Sequence, residues 1–114
     1  MAVIFYASSV PDLKAIPLGV SDHTGHFAGY ALLGALVVRA LAQARWTGVT
    51  PRASVAAVAW SSLYGASDEF HQRFVHGRSP AADDWVADTL GAAAAVAIVF
   101  ATAAVVRRAR IRSV

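Results

Sequence analysis

The stretch WVADTLGAAAAVAIVFATAAVV, from Trp85 to Val106, is 22 residues long and carries a single charge, Asp88. At 1.5 Å of rise per residue, a helix of that length reaches about 33 Å, enough to cross the ~30 Å hydrocarbon core of a bilayer. Its alanine run, Ala92–Ala95, is material for close helix packing rather than a linker. The whole chain agrees with this reading: 57% of its 114 residues are apolar and 15% charged, where about 25% charged is usual. Mean hydropathy is +0.51. A chain this short makes one domain, residues 1–114, and keeps a large share of its residues at the surface. So little polar coverage excludes both disorder and an ordinary soluble fold. The expectation is an all-α integral membrane protein of the cell membrane.

Two further spans follow upstream. Thr24 to Ala42 is apolar apart from His26 and Arg39. Ala53 to Phe74 is weaker, because Asp68, Glu69, His71, Gln72 and Arg73 crowd its far end. Gly48, Thr50 and Pro51 break the chain between these two, and residues 76–80 (HGRSP) break it before Trp85. Met1 to Val10 reaches only about 15 Å. It lacks the basic start and small-residue cleavage pattern of a signal peptide, and reads as the last half of a helix whose beginning is missing, either because the start is assigned too far downstream or because the protein keeps only a half-span. The expected bundle has three full spans plus a partial amino-terminal one.

Charge orients the spans. One side carries Arg39, Arg45, Arg52, Arg107, Arg108, Arg110 and Arg112, with no acid. The other carries Lys14, Arg73 and Arg78 together with all seven acids. The positive-inside rule makes the arginine side and the C-terminus cytoplasmic, and the loops 12–23 and 68–84 extracytoplasmic. Membrane orientation accounts for the net charge of +3 without nucleic acid.

Ionisable groups at membrane depth are costly and usually face a bundle interior. Helical spacing sorts them into three stripes: His23, His26, Tyr30 and Gly34; Ser61, Tyr64, Asp68 and His71, flanked by Glu69 and Gln72; and Asp84, Asp88, Gly91 and Ala95. All three concentrate toward the outer ends, which points to a shared polar pocket. Each member also has a plainer reading. His26 serves as well as a packed histidine bonded to a neighbouring helix, Asp68 and Glu69 as interfacial carboxylates, and Asp88 with Arg78 as a structural ion pair. Tyr64, Trp46, Trp60 and Trp85 read as interfacial anchors, Tyr64 sharing the acidic face. Gly25 and Gly29 form a G-x-x-x-G pair that permits close helix approach.

Zero cysteines exclude disulfides, a thiol nucleophile and thiolate metal sites. Glu69 and His71, joined by His26 or Asp84, have the donors for zinc. However, the Glu-x-His spacing turns the first two about 200° apart, and H-E-x-x-H is absent, so no metal or other cofactor is expected. Ser61, Ser62 and Ser67 lack a G-x-S-x-G context for nucleophilic hydrolysis.

From Tyr64 to Arg78 the run YGASDEFHQRFVHGR resembles the VanZ-like family of bacterial membrane proteins, whose pattern is roughly Y-G-x-x-D-E-x-H-Q-x-F-V-P-G-R; His76 stands in place of the proline. Upstream, Ser8-Ser9-Val10-Pro11 resembles the family's first-span exit. Asp22-His23-x-x-His26-x-x-x-Tyr30 resembles its D-K-x-x-H-x-x-x-Y, with His23 for lysine. Downstream, Arg78, Asp83-Asp84 and Asp88-Thr89-Leu90-Gly91 resemble R-x-x-x-x-D-x-x-x-N-x-x-G, with Asp88 where asparagine is frequent.

The resemblance implies a four-span architecture and a place in the cell envelope, the family's name coming from an accessory protein of glycopeptide-resistance clusters that lowers susceptibility to teicoplanin more than to vancomycin. The leading expectation is a non-enzymatic protein acting at the outer leaflet through His26, Tyr64, Asp68, Glu69, His71, Gln72, Arg78, Asp84 and Asp88. Its partners would be membrane lipids, a lipid-linked cell-wall intermediate or a lipoglycopeptide, and Arg78 is the natural anion contact. The alternative is an enzyme acting on a lipid headgroup, with Glu69 or His71 as general base.

Overall fold

A computed structural model describes residues 1–9 and 22–113. The expected first-span exit at Val10-Pro11 and most of the expected outer loop 12–23 lie outside the described residues. Those described form an all-helical chain of α1 (Ala2–Ser9), α2 (Asp22–Leu41), α3 (Pro51–Gln72) and α4 (Ala82–Arg112), with no strand among them.

Local signals set the helix ends. Thr50 caps α3, its hydroxyl accepting from the Ala53 N–H at 3.1 Å, and Pro51 occupies the first turn, where a missing N–H costs nothing. Asp83 and Asp84 stand in the first turn of α4, and Arg110 and Arg112 in its last, each sign opposite the helix dipole it meets. Between α2 and α3 the chain turns through Gln43 and Ala44, both at positive φ. The turn is held from two directions. The Arg39 guanidinium donates to the Ala44 carbonyl and lies 4.1 Å from the Trp46 ring centroid. Arg107 Nη1 donates to the carbonyls of Trp46 (3.3 Å) and Val49 (3.0 Å), tying α4 to the same turn.

Helix α4 packs most extensively on α2; α3 lies against α4 and, less extensively, α2, while α1 touches α3. The apolar core of Val38, Ala42, Val49, Ala57, Val96 and Ala103 occupies the arginine end. Contact between α2 and α4 is backbone-close. A Cβ on Gly34 would sit 2.9 Å from the Cα and carbonyl oxygen of Ala92, and one on Gly91 would overlap the carbonyl oxygen of Phe27. The expected G-x-x-x-G pair plays no such part, since nothing lies within 4 Å of a Cβ at Gly25 or Gly29.

The distribution of polarity is inverted relative to a soluble protein. Ser61, Asp68, Glu69, Gln72, Asp84 and Asp88 are buried, whereas Leu32, Leu36, Val55, Trp60, Leu63, Leu90, Ile98 and Val105 are exposed. Two helical segments are long and apolar enough to cross a membrane, His23–Leu41 and Ala82–Arg112, and only 22% of the window that qualifies each is buried. Core helices of a soluble protein would be mostly buried, so these outward apolar faces fit lipid. The expectation of three full spans is therefore met by two helices on this measure. At 22 residues α3 is long enough, but Arg52, its serines and the Asp68–Gln72 cluster make it too polar to qualify.

Candidate functional site

The antiparallel run of the helices brings the start of α2, the end of α3 and the start of α4 to one end of the bundle. Every polar stripe ends there. On α2, His23 and His26 lie one turn apart. On α4, Asp84 and Asp88 do the same, and the two pairs interlock. His23 Nδ1 lies 2.7 Å from Asp84 Oδ1, and His26 Nδ1 lies 2.8 Å from Asp88 Oδ1. An ionised carboxylate only accepts, so the contact with Asp88 is donated by the His26 Nδ1–H. Nε2 is turned toward Asp84, 4.0 Å from its Oδ2. Asp88 is fully buried, with Oδ2 lacking a hydrogen-bond partner.

Helix α3 adds the other two carboxylates. Asp68, 2% exposed, accepts from Gln72 Nε2 one turn on, at 3.4 Å. Glu69 Oε2 accepts the Ala81 N–H at 2.9 Å, which pins the α3–α4 connection over the site, while Oε1 is buried without a partner. That connection turns at Gly77, whose φ of +81° favours glycine. One oxygen each from Glu69 and Asp84 and one His26 nitrogen all lie within 4.8 Å of one another.

Not every expected member joins this cluster. His71 faces α1, its ring 4.3 Å from that of Phe5 and its Nε2 3.1 Å from Ser9 Oγ. Because the Ser9 hydroxyl donates to the Phe5 carbonyl, Nε2 of His71 is the donor to Ser9. Tyr64 has its hydroxyl on the Met1 carbonyl at 2.9 Å and its ring 6.3 Å from that of Tyr30. The Asp88–Arg78 pair does not form: Asp88 takes His26, and among the described residues no carboxylate lies within 4.0 Å of the Arg78 guanidinium. A side chain on the loop cannot displace one already facing Asp88 across the tight α2–α4 contact.

Two residues outside the expected site belong to it. His23 Nδ1 stands close to Asp84 Oδ1, without hydrogen-bond geometry, and Tyr30, on the same α2 stripe, is 1% exposed with its hydroxyl unpartnered. The signal for His23 was the His23-x-x-His26 spacing set against Asp84-x-x-x-Asp88, and for Tyr30 its place one turn beyond His26. Further along α3 and α4, Ser62 bonds Thr89 at 2.9 Å and Trp85 Nε1 donates to the Ser62 carbonyl at 3.0 Å. Phe70, Phe74 and Trp85 stand exposed at this end of the bundle.

Comparison with known proteins places a family model described as VanZ/LLP1 on residues 2–105. No curated protein and no solved structure matches the chain.

Proposed function

Because the chain belongs to the VanZ/LLP1 family, we propose that it is an envelope membrane protein that engages a lipid headgroup, or a lipid-anchored drug, at its buried polar cluster. Through that contact it would lower susceptibility to teicoplanin-type glycopeptides. The observation that carries this reading is the inversion itself. Four carboxylates and His26 are withdrawn from solvent at one end of a bundle whose outer face is apolar. Groups so costly to bury in a membrane are kept where they do something. An amphiphile held in the same leaflet reaches such a site at high effective concentration.

In this reading α3 crosses the bilayer as a third, polar-faced span, and α1 covers part of a fourth. What supports it is the segregation of Arg39, Arg45, Arg52 and Arg107 at the end opposite the carboxylates. The C-terminus is then cytoplasmic and residues 68–84 extracytoplasmic. Since the chain has no cysteine, single cysteines report topology directly. Ser79→Cys in intact cells should react with an impermeant maleimide and Thr47→Cys should not, both positions being exposed. Labelling at Thr47 alone would overturn the orientation.

The functional test is drug susceptibility of a Gram-positive host expressing the native chain, Glu69→Gln, His71→Ala or nothing, at matched membrane levels. Teicoplanin protection by the native chain and by His71→Ala, lost in Glu69→Gln, is the expected result. Equal susceptibility in all four strains would reject the proposal.

A second reading, an enzyme acting on a lipid headgroup, is favoured by one feature. The Asp88–His26 contact of 2.8 Å orients an imidazole with its basic nitrogen toward other acids, the arrangement of a general base. Turnover of a polyprenyl phosphate or phospholipid by purified protein, abolished in Glu69→Gln, would establish it.

A further inference from the structure

We propose that His26, Glu69 and Asp84 form a binding site for a divalent transition-metal cation of the zinc class, with Asp88 orienting the histidine from behind. The three donors come from three different helices, yet their ligand atoms lie within 4.8 Å of one another. Zinc binds nitrogen and carboxylate oxygen at about 2.0–2.2 Å, so tetrahedral ligand atoms stand about 3.4 Å apart. Small side-chain rotations close the difference.

Three independent features point the same way. Glu69 is about nine-tenths buried, with one oxygen anchored by the Ala81 N–H and the other, Oε1, unpartnered. His26 already has the outer-sphere partner that metal-bound histidines carry: its Nδ1–H donates to Asp88, which aims Nε2 toward Asp84. The 4.0 Å from Nε2 to Asp84 Oδ2 is too long for a hydrogen bond and suits two ligands flanking one ion. Finally, Glu69, Asp84 and Asp88 gather around His26, with His23 on Asp84, and no described Lys or Arg lies within 4.0 Å of these three carboxylates. Such a cluster favours a cation.

The donor set also removes the objection raised by the Glu-x-His spacing. His71 is not needed, because α2 and α4 supply the second and third ligands that α3 cannot. Three protein ligands leave a coordination position open, as in zinc sites that bind small molecules rather than only brace a fold. A phosphate oxygen is a fitting fourth ligand, and this gives an acid-rich site a means of holding an anionic headgroup. That last step rests on the function proposed above; the cation site itself stands on geometry.

The test is zinc binding by purified, tag-free protein in detergent after chelator treatment, measured by competition with a chromogenic chelator and by elemental analysis. One ion per chain is expected for the native protein, His71→Ala and His76→Ala. Glu69→Gln, nearly isosteric, should lose stoichiometric zinc while eluting as the same monodisperse species, and Asp88→Asn should weaken binding about 10–100-fold. Cobalt substituted at the site should show visible d–d absorption that disappears in Glu69→Gln. Absence of binding by the native protein, full retention in Glu69→Gln, or loss in His76→Ala would each overturn the proposal. Zinc bound as expected without any effect on teicoplanin susceptibility would keep the site and reject the resistance reading.

Discussion

Gly91→Leu is expected to abolish the folded bundle, while Gly25→Ala and Gly29→Ala leave it intact or slightly more stable. The added Cβ at Gly91 meets the carbonyl oxygen of Phe27, a backbone atom that cannot swing away, so α2 and α4 must separate or slide. Overpacking a well-filled contact costs about 1–3 kcal/mol even where neighbours can adjust. Here the neighbour is rigid and the substituent is four carbons. Separation would also pull His23 and His26 from Asp84 and Asp88, so the cost spreads to the polar cluster. Gly34→Ala, with its Cβ 2.9 Å from the Ala92 backbone, should fall in the ~1–3 kcal/mol range. At Gly25 and Gly29 a methyl group meets nothing, and replacing glycine within a helix gains roughly 0.5–1 kcal/mol. Thermal unfolding in detergent, followed by circular dichroism and by recovery of monodisperse protein, reads all four. Damage at Gly25 or Gly29 matching that at Gly91 would refute the α2–α4 packing.

His26→Ala should be the most damaging change in the polar cluster. It strips Asp88 Oδ1 of its donor when Oδ2 already has none, leaving a fully buried carboxylate without compensation. Leaving a buried acceptor without its donor costs about 1–3 kcal/mol, and more for a charged group. Removing both partners takes away the stranded charge, so His26→Ala/Asp88→Ala should recover part of that loss, with a coupling energy of about 0.5–3 kcal/mol in a double-mutant cycle. His23→Ala provides the contrast. Its side chain is 59% exposed, and an exposed pair is worth about 0–1 kcal/mol. Strict additivity of the His26 and Asp88 changes would mean that the 2.8 Å contact carries no energy.

The helices, their breaks at Thr50-Pro51 and Gly77, and the gathering of arginines at one end follow from composition and local chemistry. So do the polar stripes, because 3.6 residues per turn places His23, His26, Tyr30 and Gly34 on one face whatever that face meets. The 200° separation of Glu69 and His71 is of the same kind, and the two do turn apart, one toward Asp84 and the other toward Phe5 and Ser9.

The partners of those faces were not legible. The sequence offers Arg78 as a partner for Asp88, which takes His26; its G-x-x-x-G pair at Gly25 and Gly29 permits a close approach that occurs instead at Gly34 and Gly91. Stripe membership depends only on the rotation per residue, a property of one helix. Which stripe meets which depends on the axial register and rotation of whole helices, and here that is set by how deeply Gly91 seats against the Phe27 carbonyl and Gly34 against Ala92.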